Sequence, residues 1–370
     1  MTRREEARVW WLASLKLKTV QARRGDRKLD FELDTTPERI AEELVALGWL
    51  NKNESVLSAN TAGAGNMNRT VRVTTNARSF ILKQSQPYCV NFPEIPAPAE
   101  RIEMEVAFYG IARRSKKLRD HMPNIIEFSP ERHLAMTEDL GEGADLLSLY
   151  GGERLPRHDL NLLCGLAREL HAIDLTDDER EKLSNHAMRA LNHEHIFDLP
   201  LRDDNGLDLD SQTNGLAELA QSYKDDDDYV AAVIALGMIY TGADGPALLH
   251  GDYYPGSFLR TERGLAIIDP EFTFPGPAEF DLGVLAAHLL LAAASASAEP
   301  EDRDADDLID RIAAGYAGRM NLSLVRGFAG TEIMRRLLGV SQLPLNEDNA
   351  DLSRKRWLLS QSRRWVLGLP

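Results

Sequence analysis

The stretch Leu248–Gly283, LLHGDYYPGSFLRTERGLAIIDPEFTFPGPAEFDLG, carries two acidic motifs separated by a predicted hairpin. A His-Gly-Asp triplet ends at Asp252, and Ser257 follows five residues later. Two short apolar runs with a polar turn between them then predict a pair of antiparallel strands. Such a hairpin would bring the next motif, Asp269-Pro270-Glu271, back beside Asp252. We therefore expect these carboxylates to share one site.

Carboxylates in this arrangement suit phosphoryl transfer. The reaction needs one carboxylate to accept or orient the attacking hydroxyl, and others to hold magnesium against the triphosphate. The generic kinase pattern has the same spacing, which makes Asp252 the catalytic candidate and Ser257, Asp269 and Glu271 the metal-binding candidates. Any one of them alone would more simply cap a turn. The chain has Ser257 where protein kinases have Asn, and Asp-x-Glu where they have Asp-Phe-Gly.

The first part of the chain offers a matching nucleotide site. A loop of small residues between two predicted strands would let backbone N–H groups approach phosphates. Its candidate residues are Gly63, Gly65, Asn66 and Asn68. Lys83, at the end of the next predicted strand, occupies the position of the lysine that pairs with phosphates in kinases. A Gly-rich hairpin or a lone lysine is by itself weak evidence for a nucleotide site, because such a hairpin is commonly only a turn and such a lysine is commonly solvated.

The predicted helix after this strand, residues 99–114, could supply a carboxylate that fixes Lys83. Glu103 and Glu105 are both candidates, and because they are two positions apart on a helix only one can serve. We favour Glu105.

The fold class predicted is α+β, with a β-rich first part and a helical second part. We expect an N-terminal extension over residues 1–35, which contains Trp10-Trp11, a nucleotide-binding lobe over 36–139 and a catalytic and substrate-binding lobe over 140–370. The proline-rich stretch Pro87–Pro98 predicts a break in regular structure, and Glu332–Leu343 predicts a helix.

Composition excludes several other classes. The formal charge of −15 argues against nucleic acid as a partner and gives no support for binding to anionic membranes. The longest apolar run, Leu282–Ala294, is too short to span a bilayer, and the N-terminus lacks a signal-peptide pattern. Cys89 and Cys164 lack metal-ligand spacing and indicate reduced thiols. We expect a cytoplasmic protein.

The chain resembles a known family, the 5-methylthioribose kinases, within the aminoglycoside phosphotransferase and choline kinase group. The matching segments keep the family's order and spacing. They are Gly65-Asn66-Met67-Asn68, Ile81-Leu82-Lys83-Gln84, Pro87-Tyr88, Arg101-Ile102-Glu103, His250-Gly251-Asp252, Gly256-Ser257, Asp269-Pro270-Glu271-Phe272 and Gly330-Thr331-Glu332-Ile333-Met334-Arg335-Arg336.

The resemblance implies a bilobal protein-kinase-like fold with a five-stranded first lobe. It also implies ATP and Mg²⁺ as cofactors, a small-molecule hydroxyl acceptor and a homodimer. Arg335 and Arg336 would then contact the sugar, whereas His250 and Asp281 would support the catalytic loop. A simple N-cap for the following helix remains an alternative role for Asp281.

Three readings of function stay open. The first is phosphorylation of 5-methylthioribose or a related sugar. The second is a kinase for an aminoglycoside, an amino alcohol or another sugar; paired arginines in the pocket would oppose cationic acceptors. The third is a non-catalytic nucleotide-binding module of the same fold. Tyr253-Tyr254-Pro255 departs from the Leu-His-Thr type of sequence usual in the family, so we expect Tyr254 to shape the acceptor pocket.

Overall fold

The computed structural model describes residues 31–63, 65, 67–242, 245–296, 302–340, 342 and 352–369. Trp10-Trp11 and Asn66, which carried predictions, lie outside these residues. The first lobe contains β1 (Val56–Thr61), β2 (Asn68–Thr75), β3 (Ser79–Ser85), β4 (Tyr88–Cys89), β5 (Phe92–Pro96), β6 (Ile125–Ser129) and β7 (Leu134–Glu138), with helices α1 (Pro37–Ala46), α2 (Arg101–Ala112) and α3 (Lys116–Arg119).

Five of these strands form one antiparallel sheet in the order β1-β2-β3-β7-β6. Alternation of apolar and polar residues along the strands explains which side of the sheet faces the core. Val71 and Val73 of β2 point into the core, while Arg72 between them is only partly buried. Helix α1 begins with Pro37 and buries Ile40 and Leu44, one turn apart, against the sheet. The predicted α+β class and the antiparallel first lobe are confirmed.

Residues 31–35 were assigned to the N-terminal extension, yet part of this segment packs on the sheet. Phe31 and Leu33 are buried in the same core as the sheet residues. The Leu33 N–H donates to Gln84 Oε1 at 2.8 Å, and Gln84 Nε2 donates to the Phe31 carbonyl at 3.0 Å. Phe31 and Leu33 therefore pack with the first lobe although they precede its predicted start at residue 36. The predicted boundary between residues 139 and 140 stays a prediction.

The second lobe is mainly helical. Its helices are α4 (Arg157–His171), α5 (Asp177–Lys182), α6 (His186–His193), α7 (Leu216–Lys224), α8 (Asp227–Thr241), α9 (Glu279–Ala296), α10 (Asp302–Tyr316), α11 (Leu322–Leu338) and α12 (Leu352–Val366). Its short strands are β8 (Ala144–Asp145), β9 (Ala247–Leu249), β10 (Phe258–Thr261), β11 (Gly264–Ile267) and β12 (Phe274–Gly276). The hairpin predicted between the two acidic motifs is β10 paired with β11.

Two predicted elements need correction. The stretch Pro87–Pro98 is not a break, because β4 and β5 pair within it; both are edge strands, where proline is tolerated. The helix predicted from Glu332 begins ten residues earlier, at Leu322. The first half of this helix was not predicted because it contains Gly327 and Gly330, and glycine is unfavourable in helix interiors. Both glycines allow close packing against neighbouring elements. A Cβ on Gly330 would lie 2.7 Å from the Ser362 carbonyl oxygen of α12.

Helix α2 links the two lobes. It follows the first-lobe hairpin in sequence, yet Phe108, Tyr109 and Ile111 in its second half belong to the large core of the helical lobe. The Phe108 ring also meets the His250 ring edge-on, with centroids 5.9 Å apart. The first turn of α2 is therefore held at a fixed place between the lobes. In the described part of the chain, every helix is too short or too polar to cross a membrane.

Candidate active site

A cleft with about 980 Å³ of empty space lies between the sheet and the helical lobe. It collects ten of the predicted site residues, namely Gly65, Asn68, Lys83, Asp252, Tyr254, Ser257, Asp269, Glu271, Arg335 and Arg336. Glu105, His250 and Asp281 are buried behind its surface. Gly63 does not reach the lining. Residues from distant parts of the chain thus meet at one surface.

The predicted catalytic loop, residues 250–257, follows β9 and is fixed by Asp281. The two carboxylate oxygens of Asp281 accept the backbone N–H groups of His250 at 2.8 Å and Gly251 at 2.9 Å. Asp281 is completely buried, and His171 Nε2 lies 3.1 Å from the same carboxylate. Helix α9 begins at Glu279, two residues before Asp281, so the simple N-cap role does not apply. The carboxylate instead orients the loop that presents Asp252.

The backbone of this loop needs glycine at position 251. Gly251 has φ +84°, and a Cβ there would lie 2.1 Å from the Phe272 carbonyl oxygen. This contact packs the catalytic loop against the segment that follows Asp269-Pro270-Glu271. The Ser257 hydroxyl donates to the Asp252 carbonyl at 2.8 Å and closes the loop from its other end.

His250 has a defined hydrogen-bonding role. The Asp252 backbone N–H donates to His250 Nδ1 at 3.3 Å, so the other ring nitrogen carries the proton and donates to the Ile268 carbonyl at 2.9 Å. Burial lowers the pKa of His250, which favours this neutral form. The imidazole connects the loop before Asp252 to the strand end before Asp269.

Asp252 is a partly buried carboxylate that lines the cleft. Burial raises its pKa from 3.8 to about 6, although the nearby guanidinium groups of Arg336 and Arg335 act in the opposite direction. A carboxylate with this pKa is largely ionised at neutral pH and still basic enough to accept a proton from a hydroxyl group. These are the properties required of a general base.

Lys83 lies between two carboxylates. Its Nζ is 2.7 Å from Glu105 Oε2 and 2.6 Å from Asp269 Oδ1. Of the two candidates on α2, the partner of Lys83 is therefore Glu105. Burial alone would lower the pKa of Lys83, but the charges of Asp269 and Glu105 outweigh it and keep the lysine protonated. Asp269 itself lies in the left-handed backbone region, with φ +62°.

Glu271 is held by two side chains of the first lobe. Its Oε2 accepts from Arg101 Nε at 3.1 Å and from Asn68 Nδ2 at 2.9 Å. The Arg101 side chain is fully buried. From the sequence, Arg101 had no predicted role beyond its place in a matching segment. Its contact with Glu271 joins residues 170 positions apart and could not be predicted from local spacing.

Arg335 and Arg336 of α11 also line the cleft. Both pair with Glu332 of the same helix, at 3.1 Å from Arg335 Nη1 and 2.6 Å from Arg336 Nε. His288 Nε2 lies 3.0 Å from the same carboxylate. The Arg336 guanidinium lies 5.3 Å from the centre of the Tyr254 ring, within cation–π range. Glu332 and His288 were not predicted as site residues.

Further lining residues escaped prediction because they lie far from the kinase-like motifs. Leu191 of α6 and His195 of the π-helical turn Glu194–Asp198 both line the cleft. π-helical turns are rare and occur frequently at functional sites, although the sequence carries no recognisable signal for one. Tyr253 does not reach the cleft, since its ring is buried and its hydroxyl donates to the Leu163 carbonyl at 2.8 Å.

A five-stranded sheet joined to a helical lobe, with these residues in the cleft between them, defines a protein-kinase-like phosphotransferase fold. The family model APH, described as "Phosphotransferase enzyme family", matches residues 58–320, and the chain belongs to this family. The family confirms the predicted enzyme class, a small-molecule phosphotransferase.

Curated relatives match most of the chain. A methylthioribose kinase of Erwinia tasmaniensis is 27% identical over 341 residues, which cover 80% of this chain and 84% of that protein. A methylthioribose kinase of Exiguobacterium sibiricum is 28% identical over 378 residues, covering 86% and 89%. The predicted resemblance to this family is confirmed.

Solved structures show the same fold at low sequence identity. A spectinomycin phosphotransferase, solved with ADP and spectinomycin, aligns over 91% of this chain and 98% of its own, with TM-score 0.51 and 14% identity. A choline kinase from Cryptosporidium parvum aligns over 88% and 95%, also with TM-score 0.51 and 14% identity.

Proposed function

We propose that this protein is an ATP- and Mg²⁺-dependent kinase that phosphorylates a hydroxyl group of a sugar, with 5-methylthioribose or a related thiosugar as acceptor. The observation that carries the proposal is one cleft that holds Asp252 together with Lys83 and Asp269 and with Arg335 and Arg336. The curated relatives named as methylthioribose kinases direct the choice of acceptor.

The residues present fit a magnesium–nucleotide complex. The Asp269 side chain is 44% exposed, so its carboxylate is accessible from the cleft. Asn68 Oδ1 is buried at the cleft and has no hydrogen-bond partner among the described residues, which leaves it able to accept a bond from a bound group. Asp269, Glu271 and Ser257 would hold the metal, and Lys83 would hold phosphates. Magnesium bound there would neutralise charge that develops on the transferred phosphoryl group.

In the proposed reaction Asp252 accepts the hydrogen bond, and finally the proton, of the acceptor hydroxyl. The loop bonds to Asp281 hold Asp252 at a fixed place, which reduces the entropy lost when the acceptor is oriented. Lys83 offers a fixed positive charge to the phosphates. Arg335 and Arg336 would hold other hydroxyl oxygens of the sugar.

The lining also suits an acceptor that combines hydroxyls with an apolar substituent. Phe92, Ile95, Leu191 and Val340 line the same cleft as the two arginines. A methylthio group would remove apolar surface from water there. A cationic acceptor, such as an aminoglycoside or an amino alcohol, would instead face the positive charges of Arg335 and Arg336. We therefore favour the thiosugar over these alternatives.

The proposal is tested by magnesium-dependent ATP consumption with 5-methylthioribose, ribose, other pentoses, amino alcohols and aminoglycosides. We expect turnover on 5-methylthioribose, and a loss of about 10²- to 10⁴-fold in the Asp252→Asn variant with ATP binding nearly intact. Turnover on a different acceptor would refute the substrate and keep the reaction class. ATP binding without turnover on any acceptor would favour a non-catalytic module. The cytoplasmic location and the homodimer remain predictions.

A further inference from the structure

The first two turns of α2 are linked to both carboxylates of the Asp269-Pro270-Glu271 motif through basic side chains. Glu105 binds Lys83, and Lys83 binds Asp269. Arg101, four residues before Glu105 on the same face of the helix, binds Glu271 directly. The lysine–glutamate pair of kinases makes one such link. This chain has a second, parallel link through Arg101.

Arg101 is anchored by more than its carboxylate partner. Its Nη1 donates to the carbonyls of Gln86 at 2.6 Å and Pro98 at 2.8 Å, and its Nη2 donates to the Met67 carbonyl at 2.5 Å. Met67 directly follows the Gly-rich loop. The planar guanidinium therefore connects that loop, the start of the β4–β5 hairpin and Glu271. A lysine, with a single nitrogen, cannot make all of these bonds from one position.

Burying an arginine costs solvation free energy, and apolar side chains could have packed the lobe without that cost. Here Nε is directed at a carboxylate that lines the cleft. The same oxygen, Glu271 Oε2, also accepts from Asn68 Nδ2. Two donors from the first lobe thus orient one carboxylate of the second lobe. Because that carboxylate lines the cleft, the buried arginine fixes a group of the cleft in addition to packing in the interior.

We propose that Arg101 is a positioning residue, assisted by Asn68, which orients Glu271 so that the magnesium–nucleotide complex is bound across both lobes. This inference rests on the proposed use of magnesium and ATP. The second half of α2 is packed in the core of the helical lobe. That anchoring gives Arg101 a fixed base from which to hold Glu271.

The test compares the affinity for ADP with and without magnesium, measured by calorimetry, in the wild type and in Arg101→Lys. We expect Arg101→Lys to lose at least about tenfold of the magnesium-dependent gain in affinity, while binding of metal-free ADP changes by less than about threefold. The matched control is Arg114→Lys, on an exposed arginine just beyond α2 that pairs with Glu179, and we expect it to behave as the wild type.

A double variant tests whether Arg101 acts through Glu271. We expect Glu271→Gln to lose the same gain, and Arg101→Lys combined with Glu271→Gln to lose little more than either single variant. An additive double variant would overturn the inference. So would a folded Arg101→Lys protein, judged by its melting curve, that keeps the full magnesium gain.

If Arg101→Lys does not fold, Asn68→Ser decides the matter, because it removes the other donor to the same oxygen. An unchanged magnesium gain in Asn68→Ser overturns the proposal. A reduced gain with unchanged binding of metal-free ADP supports it, because loss of a direct contact from Asn68 to the nucleotide would weaken metal-free binding as well. Failure of the proposed use of magnesium and ATP is distinguishable from these outcomes, since the wild type itself would then show no magnesium-dependent gain in ADP affinity.

Discussion

The raised pKa of Asp252 predicts a specific loss of activity in mild acid. Burial moves this pKa from 3.8 to about 6. Only the ionised carboxylate can accept the hydroxyl proton, so kcat/KM should be level above pH 7 and fall as the pH drops through 6. With a pKa of about 6, roughly one-tenth of the carboxylate is ionised at pH 5, which predicts about a tenfold loss relative to pH 7. A carboxyl with the ordinary pKa would lose almost nothing over this range.

The assay is the initial rate at subsaturating acceptor between pH 5 and pH 8, with circular dichroism to show that the protein stays folded. ATP titrates in the same range, and a charge variant separates the two effects. Arg336 is the largest opposing influence on Asp252, so Arg336→Gln should raise the pKa further and move the acid limb to higher pH. Arg114→Gln, which removes an exposed arginine outside the cleft, should leave the limb in place.

Two results would refute this reasoning. A flat wild-type profile down to pH 5 would show that Asp252 titrates as an ordinary exposed carboxyl. An acid limb that does not move in Arg336→Gln would show that this guanidinium does not act on the residue whose ionisation controls the rate. A lower overall rate in Arg336→Gln does not bear on this test, because Arg336 also lines the cleft and is proposed to contact the acceptor.

The catalytic loop gives two further predictions, both measured by urea unfolding and turnover. Gly251→Ala combines a positive φ with the close contact to Phe272, so we expect at least about 3 kcal/mol less stability; Gly264→Ala has positive φ but open space and should lose about 1–2 kcal/mol. Equal losses would contradict the packing argument. Asp281→Asn places an amide against buried N–H donors and should lower stability by about 3 kcal/mol and reduce turnover; wild-type stability would contradict its bracing role.

Motifs that are short in sequence were predictable because their geometry is local. Ser257 lies five positions after Asp252, and one hairpin separates Ser257 from Asp269, so spacing alone predicts that they meet. The strands of the sheet were equally predictable, since alternation of apolar and polar residues indicates a strand. Helix periodicity indicated only that one of Glu103 and Glu105 could pair with Lys83, and the structure shows that the partner is Glu105.

The contacts that join the lobes could not be predicted in this way. Arg101 and Glu271 are 170 residues apart, and no periodicity relates them. Glu332 precedes Arg335 and Arg336 at helical spacing, but its burial with His288 depends on how α9 and α11 pack. Asp281 had a local alternative as an N-cap, and only the observed start of α9 two residues earlier excludes it.

Charge pairing in the cleft sets Asp252 apart from the other acids. Asp269 pairs with Lys83, Glu271 with Arg101, and Glu332 with Arg335 and Arg336. Within the part of the chain that the structure describes, the Asp252 carboxylate has no ion pair. The charges of Arg335 and Arg336 lower the pKa of Glu332, whereas burial raises the pKa of Asp252. Ion pairs thus fix Asp269 and Glu271, the acids proposed to hold metal, whereas Asp252, the acid proposed to accept the proton, has no ion-pair partner among the described residues.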